Sequence, residues 1–402
     1  MHYSWEDVQT FVQEEDVRFI HLAFCDVFGR QKTIAILPSE LSRAAASGIA
    51  IDASAIAGFG GAVHSDLFLK PIPDSLTLLP WRPEQGKLVE MRCFVSYPDG
   101  RVFENDTRSL LIRAVRRAEQ AGLSFSFGPE LEFYLFCLND EGVPTKRPYD
   151  NASYMDAAPE DKGEGIRREI CMMLQALSIQ PEGAHHEEGP GQNEIDFRYS
   201  DALTAADNAM RFRAVVKTVA ARNGLYADFS PRPLKSCPGS GFHINMSVKT
   251  EAGKDLLPHM IAGLLEHVPE ITLFLNPTEE SYERLGRDKA PKYVSWSSEN
   301  RSQLVRVPAA EGEFRRAELR SPDPGANPYL AFALLIHAAL DGIEAGLPLP
   351  APADLNLFTA EQTTLARYKA LPESRAEAVR LAQSSSFVQK HLPQMLIDAY
   401  CG

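Results

Sequence analysis

The stretch HHEEGPGQNEIDF, residues 185–197, decides how this chain is read. It gathers two histidines, three glutamates and an aspartate around a Gly-Pro-Gly turn. Past the turn, Gln192, Glu194 and Asp196 alternate with Asn193, Ile195 and Phe197. A period of two predicts a strand with the polar residues on one face and the apolar residues on the other. Carboxylates this dense repel one another unless a cation sits among them. A solvated face of an antiparallel sheet gives the same alternation, so this stretch alone leaves both readings open.

Three further segments favour a site. GPELEFYLF (128–136) aligns Glu130, Glu132 and Tyr134 on one face. GSGFHINMSV (239–248) aligns His243, Asn245 and Ser247, and FRRAELRS (314–321) aligns Arg316, Glu318 and Arg320. A solvated strand face favours Thr, Lys and Ser, whereas these faces carry Glu, His, Arg and Asn and no Lys. Strands sharing one sheet would merge them into a single polar surface. An oxygen-rich donor set with one His suits Mg²⁺ or Mn²⁺ better than Zn²⁺. The arginines then call for an anion, and phosphate is the usual one. Metal, phosphate and arginine together read as phosphoryl transfer from a nucleotide.

Composition narrows the partners. The chain has 402 residues, 44% hydrophobic and 24% charged, which suits a globular protein of two domains or one large domain with an appendage. A net charge of −13 argues against nucleic acid or an anionic membrane as partner. The polar start MHYSWEDVQTF is not a secretory signal, and the longest apolar run, Ala331 to Leu340, is too short to span a bilayer. The six cysteines are scattered without a CxxC pair and read as reduced thiols in a cytoplasmic protein.

Residues 17–37 predict a hairpin about a turn at Asp26 to Gly29, and Asp99-Gly100 predicts a second one, pairing KLVEMRCFVSY with a strand from Arg101. Helical periodicity begins at Asn105 and ends at Gly122. Further helices are expected over Ile166–Leu177, Ala202–Asn223, Leu256–Val268 and Pro328–Ala345, with a linker over Leu347–Ala353. The expected boundary lies near residue 104, giving domains 1–104 and 105–402. GFGGA (58–62) and GEGIRR (163–168) lack the phosphate-loop patterns and read as turns or helix starts. A nucleotide would therefore be held by arginines and metals. NRSQLVRVP supplies Arg301 and Arg306, and SYERL supplies Arg284.

These segments, in this order, resemble the glutamine synthetase family over nearly the whole chain. The matching motifs are HHE…PGQNE, GSGFH, NPT…SYERL, NRS…RVP and ELRSPDPGANPYLAFA. The resemblance implies an α+β fold: a small N-terminal β-grasp domain and a larger catalytic domain with a curved antiparallel sheet flanked by helices. It implies ATP as co-substrate, two or more Mg²⁺ or Mn²⁺ ions per site, and a carboxylate–amine ligation through an acyl phosphate. Carried over residue by residue, Glu132, Glu187 and Glu194 match one metal's ligands. Glu130, His243 and Glu318 match the other's. Arg301, Arg306 and Arg316 match phosphate-holding arginines, and Arg284 and Arg320 match the clamp on glutamate's carboxylates, beside Gly239. Asn245 and Ser247 match nucleotide contacts. Asp52 and Tyr154 match the ammonium pocket. The family's rings, in which one subunit's N-terminal domain completes its neighbour's site, imply a homo-oligomer. It would be a dodecamer if two rings stack, and stacking is the less expected part because the run ends at HLPQMLIDAYCG.

Departures from the pattern bear on the substrate. Lys289, in RLGRDKAPKY, stands where the family's flap carries a glutamate, and Pro238 stands where it carries an asparagine. No tyrosine near NLFTAEQ matches the one that some bacterial members adenylylate. Phosphoryl activation is expected intact. The acid is glutamate or a relative, and the nucleophile is ammonia or an amine. The alternatives are a γ-glutamyl-amine ligase, a regulatory homologue without turnover, and a kinase that stops at phosphoryl transfer.

Overall fold

The turn at Asp26–Gly29 ties the two halves of the molecule together. The computed structural model describes residues 3–61, 63, 65–81, 86–251 and 253–402. Strands β1 (Val17–Cys25) and β2 (Gln31–Ile36) pair antiparallel on either side of the turn. Asp26 Oδ1 accepts from the amides of Phe28 (3.0 Å) and Arg30 (2.9 Å), an Asx-type closure. Gly29 has φ +73°, and a Cβ there would lie 2.9 Å from Asn327 Cα, so only glycine lets the turn approach so closely. Val27 O accepts from Asn327 Nδ2 (3.0 Å) and from the Tyr400 hydroxyl (2.9 Å).

The first sheet adds β3 (Ile49–Asp52), β4 (Asp66–Pro71), β5 (Thr77–Leu79) and β6 (Lys87–Ser96). Its order is β2-β1-β6-β4-β3 with β5 on β6, and β1 runs parallel to β6. The Asp99-Gly100 turn forms, but the expected strand from Arg101 shrinks to one bridge between Ser96 and Val102. Phe103 is drawn into the core against Phe59 and Tyr97, and the chain enters a helix at Thr107, so no length remains for pairing. Ala62, the end of GFGGA, lies outside the described residues, as do Met1 and His2. Gly163 does start a helix.

The second sheet holds β7 (Leu123–Leu138), β8 (Pro144–Pro148), β9 (Pro181–His186), β10 (Gln192–Phe197), β11 (Ser200–Asp201), β12 (Leu225–Asp228), β13 (Phe242–Thr250), β14 (Trp296–Ser298), β15 (Val305–Val307) and β16 (Ala317–Leu319). Its path is β14-β15-β16-β13-β7-β10-β9, and β8, β11 and β12 also pair with β7. One 16-residue strand serving five partners curls the sheet. Leu131, Phe133 and Leu135 point to the apolar side, each fully buried.

Helices α1 (Trp5–Glu14) and α2 (Leu41–Ser47) pack on the first sheet, while α3 (Thr107–Gln120), α4 (Glu164–Ala176), α5 (Ala202–Arg222), α6 (Leu257–Leu275), α7 (Glu279–Arg284) and α8 (Pro328–Glu344) belong to the second half, where α3, α4, α5 and α6 meet the second sheet. Phe332 of α8 stacks on Phe127 of β7 at 4.2 Å. Helix α6 runs beyond the expected Val268 and through Pro269. A proline costs a helix one backbone hydrogen bond, and the burial of Ile271, Leu273, Phe274 and Leu275 holds the helix together regardless. Leu347–Ala353 is no free linker. Its backbone is pinned by Trp296, whose indole donates to Pro350 O at 2.8 Å and whose carbonyl accepts from Ala353. The expected α+β architecture of a small β domain and a larger domain with a curved sheet under helices is the one found. No helix among the described residues is long and apolar enough to cross a membrane.

Candidate active site

Register builds the site. Glu194 of β10 lies opposite Glu132 of β7 on one side and His185 of β9 on the other. His243 of β13 lies opposite Glu130, and Glu318 of β16 lies opposite both Asn245 and Arg306. Cross-strand neighbours share a face, so the polar faces expected on separate segments merge into one surface. They line a cavity of about 680 Å³. A smaller cavity of about 150 Å³ adjoins it, sharing Glu130, Asp196 and Arg316.

The carboxylates group around His243. Its Nδ1 lies 3.7 Å from Glu130 and 3.8 Å from Glu318, and its Nε2 lies 3.9 Å from Glu132. Ligand atoms of Glu130, His243 and Glu318 fall within 4.8 Å of one another, as do those of Glu132, Glu194 and His243, and those of His185, Glu187 and Glu194. Glu132 Oε2 is fixed by the Gln192 amide and the Gly241 N–H, each at 2.9 Å. A Cβ on Gly239 would lie 2.5 Å from Pro231 O, against fixed backbone, and one on Gly241 would lie 2.6 Å from His243 Nε2 and displace that ring.

Burial raises Glu194, and the charges of Glu132 and Asp196 raise it further. Burial and Glu132 push Glu187 up to about 7, and burial and Glu130 do the same to Asp196. A divalent cation would relieve this repulsion, and oxygen donors with imidazoles suit Mg²⁺ or Mn²⁺, so the donor set fits such ions. Glu318 is opposite in character. Burial pushes it up, but His243, Arg320 and Arg306 outweigh burial and hold it below its ordinary value.

The cationic end faces this cluster. Arg306 Nη1 donates to Glu318 Oε2 at 2.7 Å, while its buried Nε has no partner. Arg320 donates to Glu318 Oε1 at 3.1 Å and to the carbonyls of Lys289 and Arg301. Arg284, in the last turn of α7, is buried and donates to Ser321 O at 2.8 Å. Arg316 donates to Asn245 Oδ1 at 2.8 Å, and Asn245 donates to Glu130 Oε1 at 2.7 Å. Arg301, Gly239 and Tyr154 complete the large cavity's wall. Asn245 and Ser247 line the small cavity with the apolar surfaces of Phe197, Tyr199 and Phe314.

Asp52 is the one expected site residue that lines neither cavity. It ends β3 and accepts from Ser54 N (2.9 Å) and Ser54 Oγ (2.6 Å), which holds its carboxyl below the usual range. Among the cavity residues without a role in the sequence reading are His185, Glu188, Asp196, Gln192, Arg287 and Asp288. The alternation placed Gln192 and Asp196 on the correct face. Glu188 escaped because it sits in the turn after β9, where no period applies. It forms an ion pair with Lys289, whose ammonium also lies 5.8 Å from the Tyr154 ring. Tyr154 in turn meets His185 edge-on at 5.4 Å.

A curved sheet presenting clustered carboxylates at one end of a cavity and arginines at the other defines a class: an enzyme for phosphate-bearing and carboxylate substrates assisted by divalent cations. Residues 104–402 match the family described as glutamine synthetase, catalytic domain, and residues 16–98 match glutamine synthetase, beta-Grasp domain. A glutamine synthetase from Clostridium saccharobutylicum is 41% identical over 413 residues, covering 99% of this chain and 93% of that protein. One from Methanosarcina mazei is 40% identical over 411 residues, covering 98% and 92%. Among solved structures, a GmaS–ADP complex superposes with a TM-score of 0.88 at 28% identity, covering 98% of this chain and 94% of that one, and GmaS without ligand superposes at 0.87. The chain belongs to the glutamine synthetase family and is a carbon–nitrogen ligase.

Proposed function

We propose that this protein is an ATP-dependent ligase joining the side-chain carboxylate of glutamate, or a closely related acid, to ammonia or a small amine through an acyl phosphate. The observation that carries this reading is the segregation of charge in the cavity. Glu130, Glu132, Glu187 and Glu194 cluster at one end, Arg301, Arg306, Arg316 and Arg320 at the other, and they meet at the Arg306–Glu318 contact of 2.7 Å. In this reading Asn245, Ser247 and Arg316 hold the nucleotide, with its base against the apolar walls of the smaller cavity. Arg284, Arg320 and Gly239 receive the acid.

When bound, divalent ions held by Glu132, Glu187 and Glu194 and by Glu130, His243 and Glu318 supply charge neutralisation for the ATP phosphates. The acid's carboxylate oxygen attacks the γ-phosphorus and ADP leaves. Arg301, Arg306 and Arg316 orient the transferred group and offset its charge. The amine nitrogen then attacks the acyl carbon, phosphate leaves, and a proton is lost from nitrogen. Asp52 is assigned to that proton from a neighbouring subunit's N-terminal domain in a ring, because it lines neither active-site cavity of its own chain. The domain boundary in this scheme falls near residue 104. Six free cysteines support a cytoplasmic setting.

A specific feature favours an amine larger than ammonia as a second reading. Lys289 and Glu188 close the cavity beside Tyr154 with a charge pair in place of a flap carboxylate. Two structural neighbours are titled GmaS, whereas relatives near 40% identity are named glutamine synthetase. ADP release measured for glutamate and related acids, each with ammonium, methylammonium and longer amines, separates these outcomes. The ligase reading predicts ADP only when acid and amine are both present. ADP formation without any amine would point to a kinase, and none with any pair would overturn the proposal.

A further inference from the structure

Another cavity, about 830 Å³, opens where the β1–β2 turn meets α5. Its size falls within the range of small-molecule sites, about 300–1,000 Å³. On α5, Met210, Arg213, Ala214 and Lys217 recur at helical spacing and face it together. Arg30 reaches it from the turn. No acidic residue is among those that line it.

Among the described residues Arg30, Arg213 and Lys217 have no carboxylate within ion-pair distance. The nearest carboxylates act on them only from beyond ion-pair distance, Asp323 on Arg213, Asp228 on Lys217 and Asp26 on Arg30, and two of these already pair with lysines, Asp228 with Lys146 at 2.9 Å and Asp26 with Lys32 at 3.7 Å. This is notable in a chain whose net charge is −13. Arg213 spends Nη2 on Ala326 O at 2.8 Å, but its Nε is buried without a partner. A buried donor left unpaired is costly, and burial draws this guanidinium down to about 10. The rest of the wall mixes the polar Gln31, Thr33 and Thr278 with apolar surface from Phe28, Ala57, Pro277 and Phe229, whose ring lies 5.7 Å from the Lys217 ammonium.

We infer that this seam is a non-catalytic binding site for a small organic anion carrying two or more negative charges on an apolar or planar body. The Arg213 and Arg30 guanidiniums and the Lys217 ammonium supply the charge, and Phe28 and Phe229 supply the apolar contact. Both a phosphate ester and a polycarboxylate have this chemistry. The site shares no lining residue with the active-site cavities.

The test is calorimetric titration of the full-length protein with phenyl phosphate and, separately, isophthalate, at fixed ionic strength, with benzamide as the uncharged control. Lys217 and Arg30 are exposed, so Lys217→Gln and Arg30→Gln should fold and keep basal activity. Each should weaken anion binding about tenfold, the order carried by one charge-assisted hydrogen bond. Arg306→Gln, in the other cavity, should leave this binding intact. A preference for one probe assigns the ligand as phosphate or carboxylate. Saturable binding absent for both probes, equal for benzamide, or unchanged in Lys217→Gln and Arg30→Gln overturns the inference. So does binding lost only in Arg306→Gln.

Discussion

Glu188→Gln should convert a nearly neutral cavity mouth into a cationic one. Lys289 alone would repel an incoming ammonium-type nucleophile, but it is paired with Glu188, so the native mouth carries no net charge. The pair is partly exposed, 56% for the Lys289 side chain and 34% for Glu188. Such a pair adds only about 0.2–1 kcal/mol to folding, so Glu188→Gln should fold normally. Its electrostatic effect on a cation is larger. At ~6 Å and an effective dielectric of ~20, one unit charge is worth about 3 kcal/mol, and physiological salt roughly halves this. The expected loss in kcat/KM for an ammonium-type substrate is therefore about tenfold. The assay is kcat/KM for each amine that gives turnover, in native protein, Glu188→Gln, Lys289→Gln and the double variant, across a salt series. High salt and the added Lys289→Gln change should each restore the loss. If Glu188→Gln matches the native enzyme at low salt, the pair does not control the amine's approach and the reasoning fails.

The remaining predictions address the metal cluster, the arginines and the assembly. Glu318→Ala removes the group shared by His243, Arg306 and Arg320, so kcat should fall about 10²–10³-fold. In the native protein a divalent ion at a hundred times its Kd should add about 2.7 kcal/mol of stability; near-native turnover in Glu318→Ala, or no thermal shift with Mg²⁺ or Mn²⁺, counts against the site. Arg306→Lys keeps the charge but loses the planar fork that meets Glu318, and catalytic efficiency with ATP should drop about 10–100-fold; unchanged kinetics would make Arg306 a structural residue. Mixing Asp52→Ala with Glu318→Ala subunits should regain activity through hybrid sites, and full native activity in a strictly monomeric preparation would refute a shared site.

The site was legible wherever a strand carried it. A side-chain period of two is rigid, so Glu130 and Glu132, Gln192 and Glu194, and His243 and Asn245 could be assigned to faces before any register was known. Register itself was not legible, and it is register that sets Glu194 against Glu132 and Glu318 against Arg306. Loop residues carry no period, which is why Glu188 was given no role and Lys289 was read without its partner. Local signals also lost to tertiary packing. The strong turn at Asp99-Gly100 formed without its second strand because Phe103 was needed in the core, and Pro269 failed to end α6 because the helix beyond it is buried.

The two ends of the active-site cavity make opposite demands, and Glu318 is where they meet. At the acidic end, burial and mutual repulsion raise Glu187, Glu194 and Asp196, so that end gains most from an added cation. At the basic end, Arg306 keeps a buried, unpartnered Nε, so that end gains most from an added anion. Either ligand alone would unbalance the cavity, whereas a cation bound together with a phosphate satisfies both ends at once. Cooperative binding of a divalent ion and nucleotide follows from this geometry. Glu318, held ionised by His243, Arg320 and Arg306, is the residue through which the two would be coupled.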